Sequence, residues 1–96
     1  MIRVVIVDDH AIVRSGLRQF LSDHVDLRVT GEAADGREAL ELVRGGDLDV
    51  MLMDLSMPDQ SGVDALSAIK ARLPYLPVLI LSGSPETHYA TTLLRQ

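Results

Sequence analysis

Short runs that are apolar at every position recur along the chain, and each is ended by an acid or a hydroxyl. Val4-Val5-Ile6-Val7 runs into Asp8 and Asp9, Met51-Leu52-Met53 into Asp54, and Val78-Leu79-Ile80-Leu81 into Ser82. Such runs fit strands covered on both faces, the signature of a parallel sheet with helices on either side. In open sheets of this kind, ligands bind beyond the carboxyl ends of the strands, where the strand order reverses. The pattern thus names both a fold class and the edge at which a site would lie.

Helical periodicity fills the intervals, so the chain reads βαβα. The first strand is expected over Arg3–Val7 and the first helix over Ala11–Ser22, with Val13, Leu17, Phe20 and Leu21 inward and Arg14 and Arg18 opposite. Leu27–Ala33 is a second strand, in which Leu27 and Val29 alternate with Arg28 and Thr30 as on a half-exposed edge. Asp35 ahead of Gly36-Arg37-Glu38 is an acidic N-cap with Glu at the third helical position. That helix buries Ala39, Leu40 and Val43 and ends at Gly45-Gly46.

Asp49–Leu55 is expected as the third strand. Ser61, with Asp64 three residues on, caps a helix through Leu73 that buries Val63, Leu66 and Ile69. Pro74 and Pro77 separate it from the fourth strand, Val78–Leu81, and Ser84-Pro85-Glu86 opens a fourth helix with proline at its favoured first position.

Ninety-six residues make one small domain. A net charge of −5, with Arg14, Arg18, Arg28 and Arg37 scattered singly on solvated faces, argues against this segment gripping nucleic acid directly. The absence of cysteine removes disulfides, thiolate chemistry and cysteine metal sites, which fits a cytoplasmic protein. No apolar run is long enough for a signal peptide or a membrane span.

Right-handed crossovers place the first strand beside the third, with the second outside, so Asp8, Asp9 and Asp54 become neighbours. Three close carboxylates stay ionised only if a cation offsets their repulsion. An all-oxygen site suits Mg²⁺, and nothing offers the imidazole cluster zinc would favour. A carboxylate beside Mg²⁺ can attack phosphorus in line and form an aspartyl phosphate, with Ser82 hydrogen-bonded to a phosphoryl oxygen.

These residues carry a resemblance. Val-Asp8-Asp9-His, Met-Asp54-Leu-Ser-Met57-Pro58 followed by Gly62, and Leu-Ser82-Gly83 together resemble a response-regulator receiver domain. The opening Val-Asp-Asp-His and Met-Pro-Asp-Gln-Ser-Gly-Val are most similar to the NarL/FixJ group of two-component transcriptional regulators. The resemblance implies a CheY-like, flavodoxin-type α/β fold with strand order 2-1-3-4, lacking the family's fifth strand and last helix. It makes Asp54 the phosphoacceptor for a sensor histidine kinase and Mg²⁺ the cofactor. Asp9 would bind the metal directly, Asp8 through water and Ser56 through its backbone carbonyl. Ser82 would be the switch hydroxyl, Gly83 would keep space beside it, and Met57-Pro58 would shape the loop after the acceptor.

The family's pattern adds a lysine at the end of a fifth strand, whereas Lys70, the only lysine, sits in the third helix. The domain is therefore expected to continue past Gln96, with residues 1–96 an incomplete receiver and a DNA-binding output domain outside them. The bare fourth strand or the terminal helix offers a homodimer or swapped dimer, which sedimentation as a clean monomer at high concentration would rule out.

Two rivals stand beside this reading. A haloacid-dehalogenase-type phosphatase wants a second aspartate at position 56, which is Ser. A non-phosphorylated interaction module would keep the fold and lose the switch. His10 reads most simply as a loop histidine, His24 and His88 as surface residues, and Tyr75 and Tyr89 as packing residues. Met51 and Met53 read as core.

Overall fold

The computed structural model describes residues 1–54 and 61–81, with backbone alone for 61–63. Four strands, β1 (Ile2–Val7), β2 (Leu27–Ala33), β3 (Val50–Asp54) and β4 (Val78–Leu81), form one parallel sheet of order β2-β1-β3-β4. Three helices are described: α1 (Ala11–Ser22), α2 (Gly36–Gly45) and α3 (Ser61–Arg72). The expected α/β class and 2-1-3-4 order are present. Leu55, Ser82, and the expected fourth helix with His88 and Tyr89 lie outside the described residues.

The sheet separates two apolar layers. Val5, Val7, Met51 and Met53 pack with Ala39 and Val43 of α2 and Ala65 and Ile69 of α3. Val4, Ile6 and Leu52 pack with Leu21, backed by half-buried Leu17, on the α1 side. This distribution follows from right-handed crossovers, which send α1 to one face and the next two helices to the other. β4 is less enclosed than its composition suggests, since Val78, Leu79 and Leu81 are only half-buried. An apolar groove of ≈ 440 Å³ runs along the α1 side past Val4, Leu21, Leu52 and Leu79.

The inward face of α1 differs from expectation. Val13 and Phe20 are 42% and 62% exposed, whereas Leu17 and Leu21 turn towards the sheet. Positions 14, 17, 18 and 21 form an i, i+3, i+4, i+7 stripe, so Arg14 and Arg18 flank the buried leucines rather than opposing them. Both arginines pair with Glu32 of β2, and neither lies on a purely solvated face. In α3 the buried residues are Ala65 and Ile69 with Leu66 half-buried, while the Val63 side chain lies outside the description. Tyr75 does not pack and is 95% exposed.

The β1–β2 register shifts between Val4 and Val5, pairing Val4 with Val29 but Val5 with Gly31. Thr30 is the extra residue of a bulge, and its hydroxyl donates to the Asp47 carbonyl at 2.6 Å. A bulge reverses the face that later side chains occupy. Leu27 and Val29 therefore face α1, Ala33 faces the α2 side, and Glu32 is turned back towards α1. Gly31 lets α2 pack closely here, since a Cβ would lie 3.0 Å from Leu42 Cδ2 and the leucine would have to give way.

Helix α2 starts as expected. The Asp35 carboxylate accepts from the Glu38 N–H at 2.9 Å, and Glu38 Oε1 reaches back to the Ala34 N–H at 2.7 Å. Gly46 ends it in the left-handed conformation with φ 76°, donating to the Leu42 and Val43 carbonyls. Gly46→Ala should cost about 1 kcal/mol. Urea unfolding checks this, with a lower midpoint at unchanged slope.

β3 begins one residue later than expected because Asp49 is held from the side. Arg3 donates through Nε (3.1 Å) and Nη2 (3.0 Å) to the Asp49 carboxylate and through Nη1 to Asp47 at 3.1 Å. The hydrogen bond from the Arg3 side chain, joined by one from its backbone N–H, lowers the Asp49 carboxyl to about 2. A folded-state pKa below the unfolded value of 3.8 stabilises the fold above pH 4, and this contribution fades as pH falls towards 2. Asp49→Asn should therefore lose less stability than wild type between pH 4 and pH 2, measured as the change in Tm. This pair lies at the amino ends of the strands, away from the acid-rich edge.

Candidate metal-binding site at the sheet edge

The β1–β3 register ends at Val7 opposite Met53, so the next residues, Asp8 and Asp54, emerge side by side at the carboxyl edge. Both are buried, at 3% and 5% exposure. The Asp8 N–H continues the ladder to the Ala33 carbonyl of β2 at 3.0 Å, fixing where the chain leaves the sheet. Asp8 Oδ1 then accepts from the His10 N–H at 2.7 Å, a local turn that presents Asp9 beside it.

One ligand atom each from Asp8, Asp9, His10 and Asp54 lies within 4.8 Å of all the others. The convergence expected for Asp8, Asp9 and Asp54 is thus present. Like charges at that separation repel by about 3 kcal/mol per pair at an effective dielectric constant of ~20. A divalent cation reverses the sign of this energy. The donors are hard carboxylate oxygens with a single imidazole, a set that fits Mg²⁺, which takes one or two carboxylates and keeps several waters.

His10 lies in the loop ahead of α1, as expected, with its ring turned to the acids. Its Nδ1 lies 2.9 Å from Asp9 Oδ1 and 3.2 Å from Asp8 Oδ1, although the ring is 67% exposed. His24 instead meets Phe20 edge to face, with ring centroids 5.2 Å apart. Lys70 donates to the Leu76 carbonyl at 2.5 Å, tying the end of α3 to the loop before β4. Ser56, Met57, Pro58, Ser82 and Gly83 lie outside the described residues. Among the described helices, none is long and apolar enough to cross a membrane.

Sequence reasoning missed the groups behind the acids. Arg14 Nη1 donates to the Asp8 carbonyl, and Arg14 Nε lies 3.3 Å from Glu32 Oε1. The stripe at positions 14, 17, 18 and 21 is a signal for Arg14 alone, since the orientation of Glu32 depends on the bulge at Thr30.

Comparison with known proteins agrees with this geometry. The family model of the response regulator receiver domain matches residues 4–96. Response regulator protein VraR of Staphylococcus aureus is 44% identical over 85 residues, covering 88% of this chain and 41% of VraR. The uncharacterized transcriptional regulatory protein YhcZ of Bacillus subtilis is 37% identical over 93 residues, covering 97% of this chain and 44% of YhcZ. The chain therefore spans less than half the length of these relatives. Among solved structures, a LuxR-family response regulator from Aurantimonas superposes with a TM-score of 0.83 at 32% identity, covering 99% of this chain and 68% of that one. The response regulator domain of Thermotoga maritima CheB gives 0.81 at 34% identity, covering 99% of this chain and 72% of that one. With its sheet order, its acid cluster and these matches, the chain belongs to the response regulator receiver domain family, related to the NarL/LuxR-type transcriptional regulators.

Proposed function

We propose that this domain accepts a phosphoryl group from a sensor histidine kinase on Asp54, with Mg²⁺ at the acid cluster, and relays that state to a DNA-binding output domain outside residues 1–96. The observation that carries this reading is the convergence of Asp8, Asp9 and Asp54 at one strand edge. The isolated receiver domain of Salmonella enterica RcsB, 31% identical with a TM-score of 0.78, was solved in the presence of phosphomimetic BeF3⁻, which supports the same ligand class here.

In the transfer, an Asp54 carboxylate oxygen forms the new O–P bond as the N–P bond of the donor phosphohistidine breaks, and the electron pair stays with the imidazole. Bound Mg²⁺ would supply charge neutralisation between the carboxylates and the incoming phosphoryl oxygens. Asp9, Asp8 and Asp54 would hold the metal between them, Asp8 by way of water, and the family resemblance would add the Ser56 carbonyl. By the same resemblance Ser82 would be the switch hydroxyl, with Gly83 and Met57-Pro58 as the small and loop residues of the site. The protein assists its own phosphorylation rather than turning over a substrate.

Incubation with Mg²⁺ and a small phosphodonor, followed by intact mass, tests the proposal. A single phosphoryl adduct that is absent in Asp54→Asn is expected. No adduct in either protein would favour a non-phosphorylated interaction module, and catalytic turnover of a phosphomonoester would favour a phosphatase.

A further inference from the structure

Glu32 is the one acid of β2 and does not belong to the cluster at the sheet edge, yet the bulge at Thr30 aims it at Arg14 and Arg18. Arg14 is the more enclosed of the two arginines, with its side chain 19% exposed against 58% for Arg18. It spends one side of its guanidinium on Glu32 and another on the Asp8 carbonyl. The same Asp8 peptide region donates its N–H to the Ala33 carbonyl, the residue after Glu32. The contacts close a ring from β2 through Glu32, Arg14 and Asp8 back to β2. The strand-end turn carrying Asp8, Asp9 and His10 is thereby held at both its N–H and its carbonyl.

We infer that Arg14, held by Glu32, is a positioning residue that sets the Asp8–Asp9 turn for divalent-cation binding. The inference rests on the metal-site reading above and assigns Arg14 and Glu32 no contact with the cation or the phosphoryl group. Two physical consequences follow. Loss of Arg14 frees the Asp8 carbonyl, so the two acids sample orientations that no longer match one octahedral ion. Loss of the Glu32 charge leaves Arg14 and Arg18 without their shared counter-charge beside a site that must take up a cation.

The test measures Mg²⁺ affinity and urea stability side by side in wild type, Arg14→Ala, Arg14→Lys, Glu32→Gln and the Arg14→Ala/Glu32→Gln double variant. Hydrogen exchange of the His10 amide in the absence of metal is the additional readout. Outer groups that orient metal ligands are worth about 10–100-fold in affinity, and the lower end is expected for Arg14→Ala because its contact is with backbone. Arg14→Lys retains a single donor direction and should fall between wild type and Arg14→Ala. Glu32→Gln should weaken Mg²⁺ several-fold, and the double variant should be little worse than Arg14→Ala. His10 exchange should speed up in Arg14→Ala with or without metal.

A merely structural arginine would lower stability while Mg²⁺ affinity and His10 exchange stay at wild-type values, which would overturn the inference and leave the metal site standing. If wild type itself bound no Mg²⁺, the metal-site reading would fall and this inference with it. Should Arg14→Ala fail to fold, Arg14→Lys and Glu32→Gln decide by the same readouts.

Discussion

Asp54→Asn is expected to raise stability in chelator, by about 1–3 kcal/mol, rather than lower it. The substitution is nearly isosteric and removes one of three carboxylates confined within 4.8 Å at a buried position. Each repulsive pair is worth about 3 kcal/mol at an effective dielectric constant of ~20, and part of that is offset by the hydrogen bond that Asp8 accepts from the His10 N–H. Saturating Mg²⁺ should invert the order. Wild type gains about 1.4 kcal/mol for each tenfold excess of Mg²⁺ over its Kd, and the variant, with fewer charges to hold the ion, gains far less. Urea unfolding with chelator and with Mg²⁺ measures both effects. A variant less stable than wild type in chelator would mean that mutual repulsion of the acids does not dominate at this edge.

Ile69→Ala has the largest expected cost to folding, about 2–5 kcal/mol. Ile69 is 0% exposed and sits where α3 meets Val5, Val7, Met51 and Met53 on the sheet. Truncation removes the transfer free energy of the lost carbons and leaves a cavity that strands fixed in a parallel register cannot close. Tyr75→Ala is the control, since Tyr75 is 95% exposed and its loss should stay within about 0.5 kcal/mol. A small effect at Ile69, comparable to that at Tyr75, would contradict the placement of α3 on this face. Because β3 ends at Asp54 and Met51 and Met53 share this core, such a result would also put the position of Asp54 in question.

The sheet order and the meeting of Asp8 with Asp54 were legible because both depend on period and handedness. Apolar strands followed by acids, joined by right-handed crossovers, leave few alternatives. The α2 caps were equally legible, since Asp35, Glu38 and Gly46 act within a few residues of one another. What escaped was set by tertiary detail. The bulge at Thr30 reverses the alternation in β2, and no local signal distinguishes it from a regular edge strand. Without the bulge, Glu32 would face away from α1, so its pairing with Arg14 and Arg18 could not be anticipated. Apolar spacing along α1 puts Val13 and Phe20 with Leu17 and Leu21, but the helix presents only the two leucines to the sheet. The contact of His10 with Asp8 comes from a two-residue turn rather than from any ligand spacing, so the sequence carries no signal for it.

The most direct measurement is a Mg²⁺ titration followed residue by residue through backbone amide chemical shifts, in wild type, Asp9→Asn and Asp54→Asn. One saturable transition, with the largest shifts at residues 8–10 and 54 and an affinity reduced at least tenfold in both variants, is the result that convergence of β1 and β3 predicts. Shifts scattered over the acidic surface, or an affinity indifferent to both substitutions, would contradict it.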